Sequence, residues 1–236
     1  MALFQKPQNQ IPTQEIKPKK GGIKFSDILA PSALEITSQS LQLGSKFLKT
    51  IFVISYPRYL NTGWFSPIVN LDKIFDVSIF IHPIDTAAVL KNLRKKLTEV
   101  QSQISSEEEG GKVRNPMLET AYKDIENLRD SLMQATEKMF RVGFYVTIYA
   151  ESQKELSKSE NEIKNLLEAR IIYTKQAIFQ QDYGFLSTMP IGSDRLEIHT
   201  PMNTAPVATF FPFTSADVTS DKGILYGINR HNNSLI

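Results

Sequence analysis

The segment RVGFYVTIYA, residues 141–150, has an apolar side chain at nearly every position. A strand of this kind has both faces covered, so we expect it at the centre of a sheet. Directly after it, Ser152 and Glu155 form the S-x-x-E pattern, in which two side chains cap the first turn of a helix. That helix is expected to run to about Ala169, with its leucine and isoleucine side chains facing inward. A central strand followed by a packed helix is therefore the predicted core.

Two long helices are predicted before this strand. Asp85 can cap the first, and Asn115 followed by Pro116 places an N-cap and a first-turn proline at the start of the second. The apolar positions of both helices alternate steps of three and four, as in a coiled-coil seam. They are Leu90, Leu93, Leu97, Val100 and Ile104 in the first helix, and Leu118, Ala121, Ile125, Leu128, Leu132, Ala135 and Met139 in the second. Because SSEEEGGKVRN interrupts the pattern, we expect an antiparallel hairpin over about residues 85–140, with arms roughly 35 Å long.

Shorter β-branched and aromatic runs predict the other strands. They are one or two short strands that include Leu34, Ile36, Leu41 and Leu43, a strand over residues 50–56, a strand over residues 76–83, and the run RIIYTKQAIF from Arg170. Strands and helices thus alternate along the chain. The predicted fold class is α+β: a ferredoxin-like mixed sheet with packed helices and an inserted long antiparallel helical hairpin.

Composition divides the chain into three parts. Residues 1–24 are rich in Gln, Pro and Lys and poor in large apolar groups, so we expect a flexible basic tail that cannot offset the entropy of ordering. Residues 25–178 hold the α+β domain. Beyond Phe179 the sequence is rich in Pro, Gly, Ser, Thr and Asn, which predicts turns, a short helix near residues 182–188 and a final hairpin.

Charge and residue usage exclude several classes of protein. With 27 Lys plus Arg and 25 Asp plus Glu, the formal charge of +2 gives no global field for nucleic acid or an anionic membrane. The absence of cysteine excludes disulfides, thiolate metal sites and cysteine nucleophiles, and suits a reducing compartment. The first residues lack a secretory signal, and no apolar run approaches the roughly 20 residues of a spanning helix. We therefore expect a cytoplasmic protein that reaches a membrane only through a partner or at its surface.

No sequence motif predicts chemistry. The three histidines, His82, His199 and His231, lack the spacing that places two imidazoles on one helix face. The acidic run at residues 107–109 is interpreted as a solvated turn. The GGK of residues 110–112 is followed by valine instead of the hydroxyl residue of a phosphate loop. We therefore predict no catalytic, cofactor-binding or metal-binding residue.

The stretch YPRYLNTGWFSP, residues 56–67, combines four aromatic residues with Arg58. Many proteins bind single-stranded nucleic acid by stacking its bases on aromatic rings beside a guanidinium group. The alternative is a loop that folds back onto the core or is covered by a partner. We favour this alternative because the overall charge is low.

Three sequence elements follow one another in the carboxy-terminal third: QQDYGFLSTMPIG from residue 180, TPMNTAPVATFFPFTS from residue 200 and KGILYGINRHNNSLI from residue 222. Their order resembles the segment that precedes the ATP-binding core in TraC, TrbE and CagE-type ATPases of conjugation and type IV secretion. The motif positions are Pro190 and Gly192, then Thr204, Phe211, Pro212 and Phe213, then Gly223, Gly227 and Asn229. The resemblance is strongest over residues 180–236 and looser from about residue 25.

This resemblance implies a non-catalytic amino-terminal module of such an ATPase. In the family, a G-x-x-x-x-G-K-S phosphate-binding loop follows this segment, and these residues do not contain it. ATP and Mg²⁺ are therefore expected only in a longer parent protein or in a second chain. Residues 25–178 would be a docking domain, and residues 179–236 a linker and the start of the ATPase core.

The resemblance also implies partners and a location. The implied partners are the ATPase core of the same protein and inner-membrane proteins of the secretion channel, with self-association left open and direct nucleic-acid binding not expected. The implied location is the cytoplasmic face of the cell membrane. The alternative is a stand-alone domain that binds single-stranded nucleic acid or another protein.

Overall fold

The computed structural model describes residues 33–111, 113–212, 224–230, 233 and 235. From Ala33 onward these residues belong to one compact unit. The predicted flexible tail over residues 1–24 lies outside the described residues. The boundary that composition places at residue 178 falls inside the compact unit, because the chain beyond it packs on the sheet.

The described residues form seven strands and six helices. The strands are β1 (Leu34–Ile36), β2 (Leu41–Leu43), β3 (Lys46–Ser55), β4 (Phe75–Pro83), β5 (Met139–Ala150), β6 (Tyr173–Gln176) and β7 (Thr200–Asn203). The helices are α1 (Ser66–Val69), α2 (Thr86–Glu109), α3 (Pro116–Met133), α4 (Gln153–Glu168), α5 (Gln181–Thr188) and α6 (Thr204–Ala208). Each strand predicted before Phe179 and both long hairpin helices are present, whereas the predicted final hairpin falls largely outside the described residues.

The strands form one sheet in the order β1-β2-β3-β5-β4, with β6 paired to β3 and β7 paired to β5. The strands β6, β3, β5 and β4 have the order and crossovers of a ferredoxin-like fold, so the α+β class is confirmed. The expectation of a mixed sheet is corrected, since every pairing among the described strands is antiparallel. The reason is that each helical crossover connects two parallel strands that have one antiparallel strand between them. No two parallel strands among those described are therefore neighbours in the sheet.

Strand β5 occupies the predicted central position. It pairs with β4 along one edge and with β3 and β7 along the other. Phe144 and Val146 belong to the main core, which α4 and the α1 region complete. Tyr145 belongs to a smaller core on the opposite face, together with Phe52 and Leu196. Because successive strand residues face opposite sides, both faces of β5 are buried.

Helix α4 begins at the predicted N-cap, Ser152, and the Glu155 side chain reaches back to the residue before it. The Ser152 hydroxyl accepts a hydrogen bond from Glu155 N at 3.2 Å, and the Glu155 carboxylate accepts one from Glu151 N at 3.1 Å. The predicted inward positions are Leu156, Ile163 and Leu167, which are buried, and Leu166, which is half-buried.

Helices α2 and α3 form the predicted hairpin. The Asp85 carboxylate accepts hydrogen bonds from two backbone N–H groups in the first turn of α2, and the Asn115 side chain accepts one in the first turn of α3. Both predicted caps are therefore confirmed. The buried residues of the seam are Leu97, Val100 and Leu132.

Two boundaries of the hairpin differ from the prediction. The acidic residues 107–109 form the last turn of α2 instead of a solvated turn, because the chain leaves the helix at Gly110 and Gly111. The second helix ends at Met133 instead of near residue 140. Ala135 has a left-handed φ of 56°, and Met139 already pairs in β5. The prediction extended the helix too far because Met139 continues the apolar spacing of the helix, although it is the first residue of β5.

A buried ion pair joins the sheet to α4. Lys49 Nζ lies 2.8 Å from Glu160 Oε2, and the two side chains are only 5% and 7% exposed. Gln176 on β6 donates a further hydrogen bond to Glu160. Removing one partner of such a pair leaves an uncompensated buried charge, whereas replacing both with apolar groups is often nearly neutral.

We predict that Lys49→Met lowers the free energy of unfolding by about 3 kcal/mol, because Glu160 loses its buried counter-charge. The double variant Lys49→Met/Glu160→Leu should recover most of this loss. Urea unfolding followed by circular dichroism measures both. Lys46→Met is the matched control, since Lys46 lies on the same strand, is 45% exposed and should cost under about 1 kcal/mol. Equal losses for the two lysine variants would contradict the prediction.

Candidate functional site

Helix α5 packs directly on the second face of the sheet. A Cβ placed on Gly184 would lie 2.6 Å from the Thr50 Cβ, so helix and strand are in close contact. Thr50 N donates a 2.8 Å hydrogen bond to the Gln181 side chain. The hydroxyls of Thr50, Thr147 and Thr188 form a buried chain with 2.7 Å steps. Close packing and buried hydrogen bonds together fix α5 to the two central strands.

The first motif element lies in the turn after α5. Pro190 and Gly192 are exposed, and Gly192 has a φ of 67°, in the region that favours glycine. Beyond this turn, the backbone N–H groups of Arg195 and Leu196 donate to the Ser187 hydroxyl at 2.8 and 3.1 Å. The turn therefore returns the chain to the sheet.

The carboxylate of Asp194 anchors this returning segment. Its Oδ1 accepts hydrogen bonds from the Tyr145 hydroxyl and from Glu197 N, each at 3.0 Å. Its Oδ2 lies 2.7 Å from His199 Nε2 and 3.7 Å from His82 Nε2. Burial, followed by the neighbouring Asp194 charge, raises the pKa of the Tyr145 phenol above its ordinary value. Tyr145 therefore remains a hydrogen-bond donor at neutral pH.

Strands β1 to β6, the hairpin and α5 all lie within residues that match a known family. Residues 32–195 match the CagE, TrbE, VirB family, described as a component of the type IV transporter system. The chain belongs to this family. The resemblance to type IV secretion ATPases seen in the sequence is therefore confirmed. No curated protein matches the chain significantly.

In this CagE, TrbE, VirB family member, Thr204 connects α6 to the start of β5. Its hydroxyl accepts a hydrogen bond from Lys138 N at 2.9 Å, and its N–H donates to the Glu137 carboxylate at 2.8 Å. Thr204 belongs to the second motif element, which lies beyond the residues that match the family. These two hydrogen bonds hold the start of α6 against the residues that precede β5.

Phe210, which the motif interpretation did not single out, fills the core. It is 2% exposed and lies with its ring centroid 5.3 to 6.0 Å from those of Tyr56, Trp64 and Phe144. The motif residue Phe211 is 65% exposed. Sequence alone does not separate two adjacent phenylalanines, because the chain here follows no strand or helix period.

The remaining motif positions lie near the end of the chain. Pro212 is exposed, and Gly227 and Asn229 are half-buried in the segment 224–230. Phe213 and Gly223 lie outside the described residues. Any role of these positions in the family stays a prediction.

The aromatic loop after β3 is part of the core. Trp64 and Phe65 are only 3% and 6% exposed, whereas Tyr59 is 75% exposed. The favoured alternative, a loop folded back onto the core, is confirmed for these two residues. Their faces are occupied by other rings, so they offer no surface on which a base could stack.

Two of the three histidines lie together although they are far apart in sequence. His82, near the end of β4, and His199, in the segment before β7, have ring centroids 5.0 Å apart. His231 lies outside the described residues. Spacing rules detect ligands that share one helix or loop, so they did not indicate a pair from a strand end and a distant segment.

The hairpin is a packing unit of its own. Leu97, Val100 and Leu132 lie in the seam between its helices, and neither core cluster of the described residues includes them. Arg58, in the loop after β3, forms an ion pair with Asp124 on α3, with 2.5 Å between Nη2 and Oδ2. The hairpin thus touches the body of the domain through a polar contact and adds no residue to its cores.

The tip of the hairpin carries two exposed apolar side chains among charged ones. Val113 and Met117 are 92% and 82% exposed. Between the two helices a groove of about 570 Å³ is lined largely by polar side chains, among them Arg94, Gln101 and Tyr122. None of the helices that the structure describes is long and apolar enough to cross a membrane.

We predict that Gly184→Ala lowers the free energy of unfolding by about 1–3 kcal/mol, because its Cβ would overlap the branched side chain of Thr50. Gly227→Ala is the control, since its Cβ would meet nothing within 4 Å. Urea unfolding of both variants provides the measurement. A Gly184→Ala protein as stable as the control would show that α5 is not seated on Thr50.

Proposed function

We propose that this chain is the non-catalytic amino-terminal module of a type IV secretion ATPase, and that the α2–α3 hairpin docks the motor to inner-membrane proteins of the channel. Membership of the CagE, TrbE, VirB family supports the transporter part of this proposal. The observation that carries the docking part is the hairpin itself, which adds two long helices without contributing to either core.

The fold has no need of the hairpin to connect β4 to β5. Pro83 pairs with Phe140 in the antiparallel register, and Ile84 N donates to Met139 O at 2.9 Å. A two-residue turn would therefore join these strands. Ordering two long helices costs conformational entropy. Among the described residues of the hairpin, three side chains are buried and the other leucines and isoleucines of the seam are half-buried, so little apolar burial offsets that cost. A surface that serves binding accounts for the helices better than stability does.

The chemistry of the tip indicates the kind of contact. Val113 and Met117 are exposed apolar side chains, and methionine adapts to irregular partner surfaces. In the first half of α2, Lys91, Lys95 and Lys96 are exposed cations, and Lys96 Nζ lies 3.0 Å from Glu99 Oε2. Glu108 and Glu109 are exposed beside the tip. A channel protein with an apolar groove for the tip and acidic groups opposite the start of α2 would therefore complement this arm.

Nucleotide chemistry belongs, in this proposal, to the ATPase core of the same protein, which would bind ATP and Mg²⁺. The alternative of single-stranded nucleic-acid binding loses its main support. Trp64 and Phe65, two of the four candidate stacking residues, lie in the core, and Arg58 is paired with Asp124.

We predict that replacing residues 86–135 with a short Gly-Ser linker leaves the domain folded but abolishes its binding to the channel. This replacement keeps the contacts of Glu137 and Lys138 with Thr204. Binding is measured by co-sedimentation with inner-membrane vesicles that contain the channel proteins of the cognate transporter. Vesicles of the same lipids without those proteins show whether lipid alone is recognised.

A point variant separates the tip from the rest of the hairpin. Val113→Ser/Met117→Ser should weaken binding at least about tenfold, because desolvated apolar anchors dominate such contacts. Ile74→Ser is the matched control, since Ile74 is 70% exposed but lies outside the hairpin. Undiminished binding by the chain without a hairpin would contradict the proposal, and salt-dependent binding to single-stranded DNA would favour the alternative.

A further inference from the structure

We propose that His82, Asp194 and His199 form a binding site for a divalent transition-metal ion, with Zn²⁺ as the best fit. Their ligand atoms all lie within 4.8 Å of one another. The site uses different residues from the docking hairpin, so neither proposal depends on the other.

The distances fit a metal centre. Asp194 Oδ2 lies 2.7 Å from His199 Nε2 and 3.7 Å from His82 Nε2. Two ligand atoms on a tetrahedral zinc ion lie about 3.4 Å apart when each is about 2.1 Å from the metal. The observed distances bracket this value, so small side-chain rotations would bring all three atoms into range. The ion would take the place of the proton between His199 and Asp194.

The carboxylate is already oriented for this role. Glu197 N donates to Oδ1, and the Tyr145 hydroxyl lies 3.0 Å from Oδ1 and 3.2 Å from Oδ2, while Oδ2 also faces the two imidazoles. The Asp194 side chain is 8% exposed, and a carboxylate so buried needs compensation by a cation or by hydrogen bonds. Hydrogen bonds donated to a ligand side chain in this way fix its geometry and strengthen metal binding.

A glycine makes room for the cluster. A Cβ on Gly143 would lie 2.6 Å from the Tyr145 hydroxyl oxygen and 3.3 Å from His199 Cδ2. A larger residue at this position of β5 would therefore displace both the Tyr145 hydroxyl and the His199 ring. Phe80, two residues before His82 on β4, stacks against the His82 ring with an interplanar angle of 6°. The ring of His82 is thus also supported by a neighbour.

The ligand set selects the class of metal. Two imidazoles and one carboxylate suit Zn²⁺, Co²⁺, Ni²⁺ or Cu²⁺, whereas Ca²⁺ and Mg²⁺ prefer oxygen ligands. His82 is 42% exposed, so solvent can reach the fourth position of a tetrahedral ion. Because His82 belongs to β4 and the other two ligands to the segment before β7, a bound ion would clamp that segment to the sheet.

The test uses the full chain without a histidine tag, after treatment with EDTA, and titrates it with ZnCl₂ in a calorimeter. We expect one Zn²⁺ per chain, a rise in the thermal midpoint with Zn²⁺, and no response to Mg²⁺. Co²⁺ should give the visible absorption of a tetrahedral ion. His82→Ala should weaken binding by about a hundredfold or more, and Tyr145→Phe by about ten- to a hundredfold.

His82→Ala is the decisive variant, because His82 is partly exposed and its loss leaves the Tyr145–Asp194 contact in place. His231→Ala is the control, since it removes an imidazole but none of the three ligands, and it should bind Zn²⁺ as the unmodified chain does. The proposal is overturned if the unmodified chain binds no Zn²⁺, which would make the cluster a histidine–aspartate ion pair. It is equally overturned if His82→Ala and His199→Ala bind Zn²⁺ unchanged.

Discussion

Strand β5 is hydrogen-bonded along both edges and buried on both faces. The positions of the other elements of the domain follow from the need to pair both edges and to cover both faces of this strand. One face, with Phe144 and Val146, is covered by α4 and the α1 region. The other face, with Tyr145 and Thr147, is covered by α5 and the segment that follows it. A ferredoxin-like sheet can leave this second face to solvent, since one covered face is enough for an antiparallel sheet. Here the carboxy-terminal residues close it, with Gly184 and Asp194 as the closest points of contact.

This closure divides the molecule into a body and an arm. The body holds the two cores, the buried Lys49–Glu160 pair and the hydroxyl chain from Thr50 to Thr188. The arm, α2–α3, grows from the turn between β4 and β5 and keeps its own narrow seam. The family of this chain is described as a component of the type IV transporter system. Under the proposed function, the arm is the part that would meet the channel.

The elements that the sequence predicted well are those whose signals are local. The apolar run that ends at Ala150 showed the central strand, and Asp85, Asn115 and Ser152 marked three helix starts through cap chemistry that needs no tertiary information. The features it missed depend on residues far apart in the chain. Asp194 meets His82 only because β4 and the segment before β7 end at the same corner of the sheet. Glycine is needed at position 184 only because Thr50 lies against it. Phe210 is buried and Phe211 is exposed because of where a loop without periodicity meets the aromatic core.

Amide hydrogen exchange of the full chain tests most directly whether the domain is a two-faced body with an independent arm. If the account is right, amides of α5 share the slow exchange of β3 and β5, because they open only with the body. Amides of α2 and α3 should exchange faster and as a separate group, since the hairpin can open without exposing either core. Fast exchange in α5, or exchange of the hairpin at the same rate as β5, would contradict the account.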